Sequence, residues 1–117
     1  MFKKLFRKKE KEICFVFNSE EVNLVSALLK KEIDKLENKI NYDVKESKTY
    51  NITKRYYSLL ADKKVIAIPF RKSDREDLLF LVVLIMVEAN NSDDPIKKHQ
   101  LNLIAARIQS VHRELGE

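Results

Sequence analysis

The sequence predicts a mainly α-helical single domain, a four-helix bundle-like fold with a minor two-stranded β element. One Gly and two Pro in 117 residues are too few for a turn-rich all-β fold. Four segments carry apolar residues at helical spacing, and two short apolar runs, 13–17 and 65–70, have the composition of strands. The length fits one domain, which we place at 13–117, preceded by a basic arm at 1–12.

The first strand and the first helix follow each other directly. Residues 13–17 are a continuous apolar run, read as a buried strand that would also bury Cys14. Asn18 or Ser19 can then supply an N-cap oxygen. An apolar stripe that repeats with helical spacing predicts a helix over 20–40.

A second helix and a second strand occupy the middle of the chain. Apolar and tyrosine side chains at helical spacing predict a helix over 48–62. The following run, 65–70, contains Pro69, which has no backbone N–H and cannot lie in the middle of a helix. We therefore expect an edge strand that pairs with 13–17.

Two further helices complete the fold. Ser73 and Glu76 have the spacing of a capping box and predict a helix over 74–90. Its stretch 78–87 is apolar all round, so it is either the centre of the fold or has one face against another subunit. Asp94 as N-cap and Pro95 at the first position predict the last helix over 95–115, and Gly116 stands where a C′ glycine is common.

The basic arm is the strongest functional signal. Residues 1–12 hold six Lys or Arg against two Glu, a net charge of +4 out of +5 for the whole chain. On a helix its three large apolar residues would share one face with cations around them, the pattern of a peptide that lies on an anionic membrane. The predicted membrane-binding residues are Phe2, Lys3, Lys4, Leu5, Phe6, Arg7, Lys8 and Lys9.

A second basic segment, 45–72, has a net charge of +6 and contains three tyrosines, a combination suited to nucleic-acid contact. Within it, residues 51–66 resemble the recognition helix and first wing strand of winged helix-turn-helix proteins, with lysine in place of the usual glycine between them. The resemblance covers sixteen residues and implies a DNA-binding regulator. Its contacting residues would be Lys54, Arg55, Tyr57, Lys63 and Lys64.

Catalytic, cofactor and metal sites find little support, and we expect none. Cys14 has no histidine near it in sequence, and a chain whose one glycine is Gly116 cannot form a phosphate-binding loop. His99 and His112 lie thirteen residues apart on one predicted helix, so they point to nearly opposite sides. The longest apolar run, 78–87, is about half of the ~20 residues that a membrane-spanning helix needs.

These observations favour a small non-enzymatic adaptor or regulatory protein that acts through protein contacts. A single cysteine fits a reducing, cytoplasmic compartment, and the arm would hold the protein at the inner membrane surface. Self-association as a homodimer through 78–87 and 101–115 is a further hypothesis, since both segments offer long apolar stripes. The alternative function is the DNA-binding regulator of winged-helix-like type.

Overall fold

A computed structural model describes residues 11–39, 47–63 and 66–117. These residues confirm the mainly helical prediction, with a 3₁₀ turn at Lys72–Asp74 before the third helix. In chain order the elements are β1 (Glu12–Phe17), α1 (Ser19–Glu37), α2 (Lys48–Leu60), β2 (Ile66–Arg71), α3 (Arg75–Asn90) and α4 (Pro95–Leu115).

The helix boundaries differ from the predicted ones by at most three residues. Helix α1 ends at Glu37, with Asn38 as its C-cap. Helix α2 ends at Leu60, and Asp62 takes a left-handed backbone conformation with φ of 63° that no α-helix can continue. Helix α4 has the predicted bounds.

The two strands pair with each other, as the sequence predicts, and the structure shows that this two-stranded sheet is antiparallel. Phe15 lies opposite Ile68. These two side chains are buried together with Phe17 and Phe70 on one face of the sheet, where Ile13 and Ile66 are partly buried. The intervening residues point outward, so Cys14 is exposed and its predicted burial is wrong. The cause is the two-residue period of a strand, which turns every second side chain of an apolar run to the other face.

One main core joins the sheet to all four helices. Helices α3 and α4 pack against each other as a hairpin, and α1 packs against α2. The largest fully buried side chains include Phe17, Leu29, Leu60, Phe70, Leu78, Ile85, Leu101 and Ile108. A smaller cluster of Ile33, Leu36 and Tyr50 closes the far end of the α1–α2 pair.

Side-chain caps explain where the helices begin. The Asn18 side chain accepts a hydrogen bond from the Glu21 amide, and Glu21 accepts from the Asn18 amide, a complete capping box. Asp94 caps α4 as predicted. The predicted capping box of Ser73 and Glu76 is wrong, because α3 begins at Arg75.

At the turn before α3, the carboxylate of Asp74 accepts from the Arg71 amide, and this bond stabilises the 3₁₀ turn that precedes the helix. At the same open end of the hairpin, Gly116 caps α4 with φ of −86° and not in the left-handed conformation usual for a C′ glycine. The sequence pattern therefore located the start of α3 and the end of α4 to within a residue, although the capping interactions differ from the predicted ones.

Candidate interaction surfaces

Helix α3 is apolar on both faces but is covered on one only. Its buried face is Leu78, Leu81, Val82, Ile85 and Ala89. On the opposite face four apolar side chains are about half exposed: Leu79 at 50%, Val83 at 54%, Met86 at 45% and Val87 at 50%. We call these four residues the α3 stripe. Of the two sequence hypotheses for 78–87, complete burial in the monomer is therefore excluded.

Charged side chains lie at both ends of the α3 stripe. At the start of α3, Glu76 forms an exposed ion pair with Lys48 of α2. Near its end, Glu88 forms an ion pair with Lys31 of α1 at 3.3 Å and lies 3.9 Å from the ammonium of Lys97. No charged residue interrupts the ten residues between Asp77 and Glu88, so the stripe is apolar along its whole length.

A shallow groove of about 90 Å³ runs between α1 and the last turns of α3. Val87 and Asn91 contribute its α3 side, and Glu32 and Lys35 contribute its α1 side. Lys35 is exposed. The C-terminal end of the α3 stripe thus borders the charged α1 side chains Glu32 and Lys35, and also Lys31, which is paired with Glu88.

The basic segment carries the residues predicted for DNA contact, and the structure gives several of them intramolecular partners. Arg55 forms an ion pair with Asp77 at 2.6 Å. The ammonium of Lys54 lies 3.3 Å from the Tyr50 hydroxyl, and Tyr57 is half buried between the two core clusters. Lys63 is exposed, and Lys64 lies outside the described residues.

The strands also bear on the winged-helix resemblance. Strand β2 pairs with β1, which precedes it in the sequence, whereas a second wing strand would follow it. After β2 the chain passes through the 3₁₀ turn directly into α3. A wing would need β2 to form a hairpin with the segment that follows it. DNA binding by this segment stays a prediction.

Asp77 is a polar contact point that the sequence did not single out. Its carboxylate is 13% exposed and accepts from both the Arg55 guanidinium and the Tyr56 hydroxyl. Burial, with the negative charge of Asp77 beside it, raises the pKa of the Tyr56 phenol well above its ordinary value. The acidic residue in the first turn of α3 therefore ties α3 to α2.

Arg107 likewise links separate elements, here α4, β1 and α1. Its guanidinium donates to the Val16 carbonyl at 2.9 Å, lies 4.5 Å from the centre of the Phe15 ring, and forms an ion pair with Glu21. One side chain of α4 therefore contacts both β1 and the start of α1. No spacing in the sequence links these residues, because 86 to 92 positions separate Arg107 from them.

The predicted membrane-binding residues of the arm, 2–9, lie outside the described residues. The structure shows how the chain continues from them. The Lys11 ammonium donates to the Glu114 carbonyl at 2.9 Å, and β1 begins at the next residue. The lysine thereby ties the start of β1 to the C-terminal end of α4, where the helix dipole favours a cation.

Neither a metal site nor a membrane span is found in the part of the chain that the structure describes. No three His, Cys, Asp or Glu side chains there lie close enough together to hold a metal ion. No described helix has the length and apolar character to cross a bilayer. Comparison of the chain with protein-family models, curated proteins and solved structures gave no match.

Proposed function

We propose that this chain is a small non-enzymatic adaptor or regulatory protein that makes protein contacts through the α3 stripe. The observation that carries the proposal is the half exposure of Leu79, Val83, Met86 and Val87 on one helix face. Single exposed apolar side chains are normal on protein surfaces, whereas contiguous apolar patches mark interaction sites. These four residues are contiguous because they occupy successive turns of one helix.

The exposed apolar residues of α4 provide a contrast. Ile96 and Leu103 are 70% and 52% exposed, but two helical turns separate them and the polar His99 and Gln100 lie between. Leu103 is therefore a matched control for the α3 stripe. It is similar in exposure and lies on a helix of the same hairpin, but it is not part of a contiguous apolar surface.

Site-specific photo-crosslinking in the cells that produce the protein tests the proposed contact surface. A photoreactive residue at position 83 is expected to give cross-linked adducts above the mass of the chain, and the same residue at position 103 is expected to give few or none. Equal labelling from both positions, or no adduct from position 83, would contradict the proposal.

The basic arm adds a second part to the proposed function, peripheral association with an anionic membrane surface on the cytoplasmic side. Its support is the net charge of +4 in residues 1–12 with Phe2, Leu5 and Phe6 interspersed. Basic residues near an anionic leaflet contribute roughly 1 kcal/mol each, and aromatic side chains add the burial of apolar surface. Such binding is reversible and weakens as salt screens the charges.

Flotation with anionic liposomes tests the arm. The full-length protein is expected to float at low salt, less so at moderate salt, and a protein that begins at Glu12 is expected to stay in solution. Replacing Phe2 and Phe6 with Ser provides a charge-matched control, which should float less than the full-length protein. If the full-length protein does not float at low salt, the membrane part of the proposal is wrong.

A further inference from the structure

We infer that the α3 stripe is covered by the α3 stripe of a second copy of this chain, with the two helices antiparallel across a two-fold axis near Val83. The inference rests on the proposed function, since it names the partner of the same surface. It follows from the spacing of the stripe, from the charges at its ends and from its area.

The spacing is that of a coiled-coil seam. Glu76, Leu79, Val83, Met86 and Asn90 follow each other at intervals of three, four, three and four residues. This alternation is the a/d repeat by which one helix packs along another. Other exposed helix faces of the described residues are polar or interrupted by polar side chains, whereas this one is apolar over its three central positions.

The stripe is also symmetric about Val83. Seven residues before it stands Glu76 and seven residues after it stands Asn90, both polar. Four residues before and after it stand Leu79 and Val87, each 50% exposed. An antiparallel two-fold pair therefore places apolar side chains opposite apolar ones and polar ends opposite polar ends. Isologous contacts require this kind of self-complementary surface.

The charges at the two ends are compatible with the same arrangement. Glu76 and Lys48 lie at the N-terminal end of the stripe, and Lys35 and Glu32 border its C-terminal end. In an antiparallel pair Glu76 can approach Lys35 of the second copy while Lys48 approaches Glu32. The antiparallel helix dipoles add to the attraction, since each N-terminus lies beside a C-terminus.

The exposed area of the α3 stripe is that of a small contact. Sixteen helical residues extend about 24 Å, enough for a contact along most of one side of the domain. The four half-exposed side chains present roughly 350 Å² of apolar surface, within the range of the largest patch on a typical monomer. This patch is smaller than the ~800 Å² per partner of a standard interface, so the contact it can make belongs to the weak, reversible class.

Sedimentation velocity of the full-length protein over a range of about 1–100 μM tests the inference directly. A reversible dimer that becomes populated within this concentration range is expected, since small interfaces are typical of weak, transient association. Val83→Glu places two carboxylates together at the axis and should weaken the dimer at least about 100-fold. Leu103→Glu, at the matched exposed position of α4, should leave the dimer unchanged.

Disulfide formation tests whether the two-fold axis passes near Val83. In a Cys14→Ser background, Val83→Cys puts the only thiol at the proposed axis, where two copies can approach within bonding distance. Mild oxidation should then give a covalent dimer rapidly, while Leu103→Cys in the same background should not. Slow and equal cross-linking of both variants would overturn the placement of the axis near Val83. Circular dichroism of each variant establishes that it is folded.

The outcomes separate the inference from the proposed function. A wild-type protein that remains monomeric at 100 μM overturns the second-copy inference. The proposed function then stands or falls on the adducts from position 83 in cells, which would have the mass of a different protein and not twice the mass of this chain. A monomer that also gives no adduct from position 83 overturns both.

Discussion

The guanidinium of Arg75 occupies the space in which a side chain at Gly116 would lie. A Cβ atom added to Gly116 would be 2.5 Å from Nη2 and 2.7 Å from Cζ of Arg75. From this position the Nε of Arg75 donates to the carbonyl of His112 at 3.1 Å. The first residue of α3 thereby satisfies one of the last carbonyls of α4 and closes the helical hairpin.

The effect of Gly116→Ala on the free energy of unfolding should depend on whether Arg75 is present. At φ of −86° alanine is compatible with the backbone, so in an Arg75→Ala background the change should stabilise the fold by about 0.4–1 kcal/mol. In the wild type, alanine must displace the guanidinium from His112 and forfeit about 1 kcal/mol of hydrogen bonding. Urea unfolding of the four proteins measures the coupling, and additive effects would contradict it.

Asn18→Ala should destabilise the protein by about 1 kcal/mol, because it removes the side-chain acceptor of the α1 capping box. Ser19, the alternative N-cap that the sequence offered, is the first helical residue and is exposed. Ser19→Ala should therefore change the free energy of unfolding by less than about 0.5 kcal/mol. Thermal or urea unfolding distinguishes them, and a larger loss from Ser19→Ala would contradict the assignment.

Arg107→Ala should destabilise the protein by about 1–2 kcal/mol. It removes a charged donor from the Val16 carbonyl and leaves the mostly buried Glu21 without its ion-pair partner. Arg107→Lys should recover only part of the loss, since lysine cannot contact both groups with a planar fork. Arg113→Ala, at an exposed position of the same helix, is the control and should have little effect on urea unfolding.

Tyr56 should make the stability of the protein fall at alkaline pH. Its pKa is raised in the folded state by burial and by Asp77, so the folded protein keeps the phenol protonated while the unfolded chain ionises near pH 10. The contribution is complete below about pH 10 and decreases as pH rises above it. The difference in unfolding free energy between wild type and Tyr56→Phe should therefore shrink between pH 9 and pH 11. A constant difference would contradict the assignment.

The DNA-binding alternative has its own test. We expect the triple variant Lys54→Gln, Arg55→Gln, Lys63→Gln to bind a mixed-sequence DNA duplex within about threefold of wild type, because the structure already pairs Lys54 and Arg55 within the chain. Fluorescence anisotropy at low salt measures this. A loss of tenfold or more, with a smaller salt dependence, would favour the winged-helix alternative.

Periodicity predicted α1, α2 and α4 well because each has a face that repeats at helical spacing, and Asp94 with Pro95 fixes the start of α4. The same reasoning failed at Cys14, since five apolar residues in a row do not reveal which alternate positions face the core. The same reasoning also could not predict which face of α3 is buried. A helix that is apolar all round gives no sign of which half its neighbours cover, so the α3 stripe emerged only from the packing.

Long-range polar contacts were equally invisible in the sequence. Asp77 meets Arg55 and Tyr56 across more than twenty residues, and Arg107 meets Val16 across ninety-one. Nothing local distinguishes these side chains from others on a solvated helix face. They become partners only when the fold brings the elements together.

The two outer edges of the small sheet are poorly suited to pairing with a strand of another chain. Pro69 offers no N–H along β2, and Arg107 already occupies the Val16 carbonyl of β1. Strand addition, which can propagate without limit from chain to chain, is thus discouraged on both sides of the sheet. Growth in one dimension is thereby disfavoured, whereas the two-fold contact inferred for the α3 stripe would be finite by its symmetry. The strand edges thereby disfavour the assembly of this protein into fibres.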